Sequence, residues 1–380
     1  MKRPSPDPTL SPVRVAFLGT GWALRTQAWA FRMAGLEAVA LWNRSEEKAR
    51  RLAAEHGIPL GTADLGGILE RPDVDLVSVT TPPHTHRELA LAALEAGKHV
   101  LCEKPFALDA GEAETMVAAA RARPDRLALV DHELRFLPVF GRLRELLADG
   151  WAGELFHVEA THHSAARLDP EIPFTWWSDR ARGGGYWGAI GSHYTDLLHF
   201  LLGRRVTAVS AALRTLVPER RDREGRPRPV SADDQALVTL RLAAGDGEAA
   251  PALLHLSTGV AGAPPPRLLV AGSRGALRYE DRRLLGQRLT ARGAVRELED
   301  LTPEPVPEQD VGPVAGRDDD WSRGSVYLGR ALREALGEGD GRGLTARAAT
   351  FEDGLRTQRV LDAGRASSDA AGAWTEIEDV

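Results

Sequence analysis

The chain has 380 residues, of which 43% are hydrophobic and 27% are charged, values that are ordinary for a globular protein. Its net charge of −6 excludes a general electrostatic attraction to nucleic acid. The sequence contains no apolar run of about 18 residues, no apolar signal region near its start and a single cysteine, Cys102, too few for a disulfide or a metal cluster. We expect a cytoplasmic protein of two domains that binds neither metal, membrane nor nucleic acid.

The first half of the chain alternates apolar strand patterns with helix patterns. A proline-rich arm over residues 1–12 is predicted to be disordered. The apolar runs that follow are 13–18, 39–42, 74–79, 100–102 and 127–130, and the helix patterns between them are 22–33, 46–56, 88–96 and 111–121. This alternation predicts a parallel sheet with helices on both faces, so we assign residues 13–134 to an α/β domain.

The second half has strand patterns that mostly follow one another without helices. They cover residues 155–161, 206–213, 236–242, 253–258, 268–271 and 276–279. This pattern predicts an α+β domain over residues 135–380 with a large, mostly antiparallel, open-faced sheet. Charged stretches at 218–229 and 303–320 are predicted to be surface loops or hairpin tips, and a final amphipathic helix is predicted over 345–363.

The first strand ends in a candidate phosphate-binding turn. Gly19-Thr20-Gly21 closes the strand and opens a helix that begins near Trp22 and Ala23. Glycines at this point permit a tight turn and let backbone N–H groups approach a pyrophosphate at the helix N-terminus. Position 24 is Leu24, so the third glycine of the usual motif is missing. In its strand–helix setting the turn still predicts a Rossmann dinucleotide site.

The end of the second strand bears on which dinucleotide binds. NAD-preferring sites usually carry an acidic residue there, which accepts a hydrogen bond from the ribose 2′-hydroxyl. This chain has Asn43 and Arg44 instead. Because asparagine does not repel a phosphate and arginine can pair with one, the sequence favours NADP over NAD, although an acid from elsewhere could restore NAD.

Two longer segments carry a resemblance to a known family. VSVTTPPHTHRELALAALEAGKHVLCEKP over residues 77–105 resembles the cofactor-domain core of the glucose–fructose oxidoreductase/inositol dehydrogenase family (Gfo/Idh/MocA). GGGYWGAIGSHYTDLLHFLLG over residues 183–203 is similar to the substrate-domain helix of that family, and residues 345–368 resemble its last helix. The resemblance implies hydride transfer between NAD(P) and a sugar, polyol or related carbonyl compound.

The resemblance and the strand-end positions together give a set of cofactor residues. Lys104 follows a parallel strand, at the edge where ligands of such sheets bind, and its ammonium can stabilise negative charge on a reacting oxygen. Glu103 is expected to orient the site, and His86 to support it from the cofactor side. The full predicted cofactor set is Gly19, Thr20, Gly21, Trp22, Ala23, Asn43, Arg44, Thr80, Thr81, His86, Glu103 and Lys104.

His193 is the candidate for proton transfer, since imidazole titrates near neutral pH. It begins a helix with Asp196 three residues further on. Many family members carry an aspartate four residues before this histidine, whereas this chain has Ala189. Either Lys104 and His193 suffice, or Asp131, His132 or Tyr186 replaces the aspartate, or redox chemistry has been lost.

Four residues form a second set, predicted to contact substrate: His132, Trp176, Arg182 and Tyr186. Aromatic faces stack on sugar rings, but a tryptophan pair at 176–177 fits a subunit contact or a core equally well. His162 and His163 are adjacent on a strand, so their side chains point to opposite faces and cannot chelate one metal.

Three functions therefore fit the sequence. The first is an NAD(P)-dependent oxidoreductase in which Lys104 polarises the reacting oxygen and His193 moves the proton. The second is a nucleotide- and sugar-responsive regulatory protein on the same fold, and the third is an NAD-assisted hydrolase or eliminase without net redox. In each case the uncovered face of the second sheet predicts a homodimer or homotetramer.

Overall fold

The computed structural model describes residues 12–244, 249–303, 316–337 and 342–378, which form two compact units. The first unit contains the described residues of 12–137 and 316–355, and the second contains those of 138–303 and 356–378. The proline-rich arm at 1–11 and most of the predicted 303–320 loop lie outside the described residues.

Residues 12–137 alternate strands and helices as the apolar pattern predicts. The strands are β1 (Arg14–Leu18), β2 (Glu37–Trp42), β3 (Leu60–Thr62), β4 (Leu76–Val79), β5 (His99–Cys102) and β6 (Ala128–Val130). The α-helices are α1 (Ala28–Ala34), α2 (Glu46–Glu55), α3 (Leu65–Leu69), α4 (His86–Glu95) and α5 (Ala110–Arg121). A π-helical turn (Ala23–Gln27) precedes α1, and 3-10 turns cover Pro83–Thr85 and Glu133–Phe136.

Residues 138–303 are dominated by strands. The helices are α6 (Pro138–Ala148) and α7 (Ser192–Leu202), with 3-10 turns at Trp176–Ser178 and Arg180–Arg182 and a π-helical turn at Trp187–Gly191. The strands are β7 (Leu155–His163), β8 (Val206–Arg214), β9 (Glu219–Arg221), β10 (Pro227–Pro229), β11 (Gln235–Leu242), β12 (Pro251–Ser257), β13 (Arg267–Gly272), β14 (Gly275–Glu280), β15 (Arg283–Arg288) and β16 (Glu299–Asp300).

The remaining described residues are mostly helical. They form α8 (Asp320–Gly337), α9 (Arg342–Thr345), β17 (Ala349–Thr350), α10 (Phe351–Asp369) and β18 (Thr375–Glu376). The sequence predicts a final helix over 345–363, but α10 begins at Phe351 and ends at Asp369, so both predicted ends are wrong. Thr350 accounts for the later start, because its backbone N–H and its side chain both bond to Asp353 Oδ2 and so cap the first turn of α10.

The first sheet has the strand order β17-β6-β5-β4-β1-β2-β3. All its pairings are parallel except that of the edge strand β17 with β6. The chain order reverses between β1 and β4, where it moves to opposite sides of the sheet. Crevices at such reversals, beyond the carboxyl ends of the strands, are the usual ligand sites of open α/β sheets.

Helices cover both faces of this sheet. On one face Phe17, Phe31 and the α8 residues Val326 and Leu332 share a core. The other face is packed by residues of α4 and α5 and by the ring pair Phe106–Phe351, whose centroids are 4.6 Å apart. Because α8 buries its apolar side here, residues 316–355 return to the first unit, whereas the sequence assigned 135–380 to one continuous domain.

The second sheet has the order β16-β15-β14-β13-β7-β12-β11-β8-β18. Its pairings are antiparallel except for the parallel pair β7–β12, so the predicted fold class is confirmed. The predicted hairpin at 218–229 forms as the separate pair β9–β10. Buried and exposed residues alternate along β11 and β12, which leaves Leu237 and Leu253 about half exposed on the outer face.

Candidate functional site

Predicted site residues follow five neighbouring strands of the first sheet. Of the cofactor set, Gly19 follows β1, Asn43 follows β2, Thr80 follows β4 and Glu103 follows β5, while Asp131, the possible replacement for the family aspartate, follows β6. Parallel strands end at a common edge, so the structure brings these positions together along one side of the sheet. The edge includes the point between β1 and β4 where the strand order reverses.

The glycine turn has two glycines with different physical tasks. Gly19 has φ +121°, and a Cβ there would lie 2.7 Å from the carbonyl carbon of Thr80, so the neighbouring loop leaves no room for a side chain. A Cβ at Gly21 would meet nothing within 4 Å, so the surface there is open. Within the described residues, the N–H groups of Gly21 and Trp22 donate to no protein acceptor. Such N–H groups at the start of a helix, with open space beside them, can bind a pyrophosphate.

Asn43 and Arg44 lie beside this turn with different surroundings. The Asn43 amide nitrogen is 3.4 Å from Thr20 Oγ1, and its side-chain oxygen accepts from Ser45 N–H. Asn43 therefore ties the end of β2 to the glycine turn, while Arg44 is exposed to solvent. The sequence prediction of a phosphate-pairing arginine stays a prediction.

The loop after β4 is fixed from two sides. The N–H and hydroxyl groups of Thr80 both donate to the carbonyl of Leu18, at 2.8 and 3.0 Å. The buried ring of His86 lies 2.8 Å from the Thr81 carbonyl through Nε2 and 3.1 Å from the Pro105 carbonyl through Nδ1. His86 thus connects the loop after β4 to the segment that carries Lys104. Burial lowers the pKa of His86 to about 4.

Lys104 lies among buried polar groups that the motif only partly indicated. The Glu103 carboxylate folds back to accept from the Lys104 backbone N–H at 3.2 Å. Glu103, Asp131 and Glu133 are all at least 93% buried. Gln27, which the sequence analysis did not single out, donates from Nε2 to Glu103 and to Asp131. The sequence gives little signal for it, because Gln27 directly follows the polar residues Arg25 and Thr26.

His132 and Trp22 complete the first unit's predicted residues. His132 follows Asp131 and is buried, with 2% of its surface exposed. The Trp22 ring lies 5.6 Å from the guanidinium carbon of Arg317. This cation–π contact links the glycine turn to the segment that enters α8.

His193 belongs to the second unit, in the first turn of α7. It is buried, as are Asp196 and Ala189. The π-helical turn Trp187–Gly191 leads directly into α7, and such single π turns recur at functional sites because they displace side chains from regular helix positions. Ala189 lies within that turn, so no carboxylate occupies the family position.

Polar side chains next to α7 form a cluster that is only partly evident in sequence. His162 Nδ1 lies 3.3 Å from the Tyr194 hydroxyl, and Ser164 Oγ lies 3.2 Å from the Tyr186 hydroxyl. The His162 ring meets the Tyr186 and Tyr194 rings edge-on, with centroids 6.2 and 5.9 Å apart. His163 instead packs against His255 at 4.4 Å, so the two adjacent histidines face opposite sides of β7 as predicted.

Asp233 is a further residue that the sequence analysis did not identify. Its Oδ2 accepts from Trp187 N–H at 2.7 Å, at the start of the π-helical turn. Burial raises the pKa of Asp233 to about 6. Gly185, with φ +114°, leaves the space that this carboxylate fills, since a Cβ there would lie 2.3 Å from Oδ1. Asp233 therefore anchors the segment that leads to His193.

Trp176 and Arg182 lie in the short turns before the glycine run. The Trp176 and Trp177 rings are 5.5 Å apart, and the Arg167 guanidinium lies 5.2 Å from the Trp177 ring. Arg182 ends a 3-10 turn that the Asp179 carboxylate caps. Both predicted residues are partly exposed.

The described residues contain no group of three or more His, Cys, Asp or Glu side chains arranged to bind a metal. Likewise, none of the helices in the part of the chain that the structure describes combines the length and the apolar composition that crossing a bilayer requires.

Comparisons with known proteins agree with this architecture. Residues 13–132 match the model of an oxidoreductase family with an NAD-binding Rossmann fold, and residues 140–278 match the GFO/IDH/MocA C-terminal domain. The chain is 34% identical over 375 residues to human glucose-fructose oxidoreductase domain-containing protein 2, covering 96% of this chain and 93% of the human one.

Solved structures are similar over almost the whole chain. An oxidoreductase domain protein from Kribbella flavida is 31% identical, with a TM-score of 0.85 over 97% of this chain and 100% of its own. Levoglucosan dehydrogenase in complex with NADH and L-sorbose has a TM-score of 0.82 over 96% of this chain and 99% of its own, and at 22% identity it shows the fold alone. The chain belongs to the Gfo/Idh/MocA family of oxidoreductases and has the NAD-binding Rossmann fold of that family.

Proposed function

We propose that this protein is an NAD(P)-dependent oxidoreductase that transfers hydride between the nicotinamide and a sugar, polyol or related hydroxy or carbonyl compound. The observation that carries the proposal is the arrangement of residues at the carboxyl ends of the strands of the first sheet. There an open glycine turn and Lys104, whose backbone N–H donates to Glu103, follow strands of one parallel sheet.

The residues present fit a dinucleotide. The pyrophosphate would meet the N–H groups of Gly21 and Trp22, and Asn43 with Thr20 would line the adjacent ribose. A bound nicotinamide supplies the centre that accepts or donates hydride. Lys104 would donate a hydrogen bond to the substrate oxygen and stabilise the negative charge that develops on it during hydride transfer.

His193 is proposed to exchange the substrate proton. Neutral imidazole accepts a proton near pH 7 and returns it, and the buried start of α7 holds the ring in a fixed position. The nearby hydroxyls of Tyr186, Tyr194 and Ser164 and the ring of His162 would recognise substrate hydroxyl groups, since each can donate and accept hydrogen bonds. Levoglucosan dehydrogenase, with L-sorbose bound, is a similar fold whose ligand is a sugar.

The finer choice between NADP and NAD is part of this proposal. We propose that NADP is accepted, with Arg44 pairing with the 2′-phosphate from its exposed position after β2. No acidic side chain takes the place of Asn43 at the end of β2, where NAD-preferring sites usually hold one.

The test is calorimetric titration of wild type and Arg44→Ala with NADH and NADPH. Tighter NADPH binding that falls to the NADH value in Arg44→Ala is expected. Arg50→Ala is the matched control, because Arg50 is an exposed arginine of α2 that pairs with Glu46 and should not affect either titration. Equal binding of both nucleotides that is unchanged in Arg44→Ala would contradict the NADP preference, and absence of binding would contradict the dehydrogenase itself.

One further experiment distinguishes the oxidoreductase from the hydrolase or eliminase and from the regulatory protein. A screen of sugars and polyols that follows nicotinamide absorbance detects net oxidation or reduction, and analysis of the products in the same mixtures detects conversion without net redox. Substrate conversion with no net change in reduced cofactor would indicate the hydrolase or eliminase. Nucleotide binding with no conversion of any compound, in wild type as in Lys104→Met, would instead indicate the regulatory protein, which the alanine at position 189 favours.

A further inference from the structure

Two buried carboxyl groups, those of Glu103 and Asp131, lie close to Lys104. Glu103 follows β5 and Asp131 follows β6, and β5 and β6 are neighbours in the sheet. Glu103 is 7% exposed and Asp131 is 1% exposed. Water therefore cannot screen the repulsion between two negative charges at this point.

Gln27 fixes how the two groups face each other. Ser78 Oγ donates to Gln27 Oε1 at 2.6 Å, which directs the Nε2 side of the amide away from Ser78. That nitrogen donates to Asp131 Oδ2 at 2.5 Å and to Glu103 Oε1 at 3.3 Å. One amide group thus draws an oxygen of each carboxyl to the same nitrogen, and the two carboxyls are held as a pair.

The pair is connected directly to Lys104. The second oxygen of Glu103, Oε2, accepts from the Lys104 backbone N–H at 3.2 Å. The Lys104 charge also acts on both acids, since it lowers the pKa of Glu103 and of Asp131. Burial acts in the opposite direction and is the larger effect, so the pKa of Glu103 lies well above its usual value and that of Asp131 is raised.

We propose that Glu103 and Asp131 share one proton under the Gln27 amide, so that the pair carries a single negative charge and holds Lys104 as a positioned ammonium. The Glu103 and Asp131 side chains are hydrogen-bonded to each other. Two carboxyls in such contact do not both ionise, whereas one acid and one carboxylate form a strong bond to each other. Glu103 and Asp131 are positioning residues in this proposal, and the use of the ammonium on a substrate oxygen rests on the proposed function.

Other charged groups face the pair. Cys102, buried on β5, and Glu133, buried in the turn after β6, add unfavourable negative charge when ionised. Asp319 in turn acts on Glu133. Lys104 is the favourable charge that acts on both members of the pair. These surroundings favour a pair with one negative charge over a pair with two.

The experiment is a carbon-13 NMR titration of the protein without cofactor, labelled at the Asp and Glu carboxyl carbons. If the proton is shared, the Glu103 and Asp131 signals move together in two steps. In Glu103→Gln the Asp131 signal should titrate in one step, more than about 1 pH unit below the upper step of the wild type. In Asp131→Asn the Glu103 signal should likewise titrate in one step, below the upper step of the wild type. Lys104→Met should raise both steps.

Glu133→Gln is the matched control, because Glu133 is equally buried, whereas the Gln27 amide bonds to Glu103, Asp131 and Ser78. The two-step titration should persist in Glu133→Gln and collapse in Gln27→Met. Independent single-step titrations of Glu103 and Asp131, or signals unchanged by loss of the partner, would overturn the proposal. Near-ultraviolet circular dichroism shows which variants remain folded, and Asp131→Asn provides the reciprocal test should Glu103→Gln not fold.

Because the titration uses neither cofactor nor substrate, its result does not depend on the proposed dehydrogenase activity. A shared proton in a protein that binds no nucleotide would leave the pair established and reject the function. Independent titrations in a protein that binds NADPH and oxidises a sugar would reject the pair and leave the function. If the protein oxidises a sugar and the pair shares its proton, Glu103→Gln should shift the pH profile of kcat relative to the wild type.

Discussion

At the residue scale, the candidate cofactor site consists of side chains that immediately follow strands and are fixed by hydrogen bonds to neighbouring loops. Thr80 bonds to Leu18 and His86 joins Thr81 to Pro105. The sequence motifs do not indicate these hydrogen-bond partners, because the partners lie on other segments of the chain. A motif therefore predicts where a site residue lies in the chain, whereas the neighbouring strands determine the groups that surround its side chain.

The two glycines of the turn are expected to respond differently to the same substitution. Gly19→Ala forces a side chain at φ +121° against the Thr80 backbone, so we expect a loss of about 1–3 kcal/mol in the free energy of unfolding. Gly21→Ala has open space and should change stability by less than about 0.5 kcal/mol while weakening dinucleotide binding. Urea denaturation and calorimetric binding measure the two effects. Equal destabilisation by both substitutions would contradict the different tasks assigned to them.

His86 is expected to make stability depend on pH below neutrality. Its pKa is about 4 in the folded protein against 6.5 in the unfolded chain, so the unfolded chain binds the proton more tightly. The stability that His86 contributes is therefore complete above pH 6.5 and is lost as the pH falls towards 4, by about 3 kcal/mol in total.

Denaturation of wild type and His86→Gln at pH 7, 6, 5 and 4.5 checks this dependence. The difference between the two proteins should shrink as the pH falls, because only the wild type loses the contribution of a neutral imidazole. His56→Gln, at the end of α2, is the control and should follow the wild-type curve. Parallel curves for wild type and His86→Gln would show that folding does not lower the pKa of His86.

At the element scale, helix α8 shows how a distant segment completes a domain. Its apolar side packs on α1 and on the first sheet. Gly329 permits the close approach, since a Cβ there would lie 2.9 Å from Ala34 Cβ and 3.1 Å from Phe31 Cδ1. Gly329 is therefore needed for the packing of α8 on α1, whereas α8 as a single helix does not require a glycine there.

Gly329→Val should separate α8 from α1 and lower the free energy of unfolding by about 1–3 kcal/mol, as overpacked contacts do. Glu334→Val places the same side chain at an exposed position of α8 and should cost less than about 1 kcal/mol. Thermal denaturation compares the two variants. A larger loss in Glu334→Val would contradict the proposed close contact.

At the scale of the whole molecule, the second sheet has a helix-covered face and an outer face with half-exposed leucines. Tyr279 packs on Phe140 of α6, and Trp187 is fully buried with its Nε1 donating to the Leu361 carbonyl. On the outer face, Leu237 and Leu253 occupy neighbouring strands at 45% and 48% exposure. This open face is where the predicted homodimer or homotetramer would form its contact, and the assembly stays a prediction.

The combined variant Leu237→Lys, Leu253→Lys should reduce the mass measured by light scattering from that of an oligomer to that of one chain, because charges replace apolar surface. Leu289→Lys changes a similarly exposed leucine outside these two strands and should leave the oligomer intact. A wild-type protein that elutes with the mass of one chain would reject the proposed assembly.

The sequence by itself determined the alternating strands and helices, the glycine turn and the family, since these are local patterns of apolar and small residues. It did not determine the place of α8, the pairing of Gln27 with Glu103 and Asp131, or the anchoring of the His193 segment by Asp233. These depend on residues separated by 40 to 100 or more positions along the chain. Periodicity is a property of neighbours in sequence, whereas burial and charge depend on which elements meet in space, so only the tertiary structure decided them.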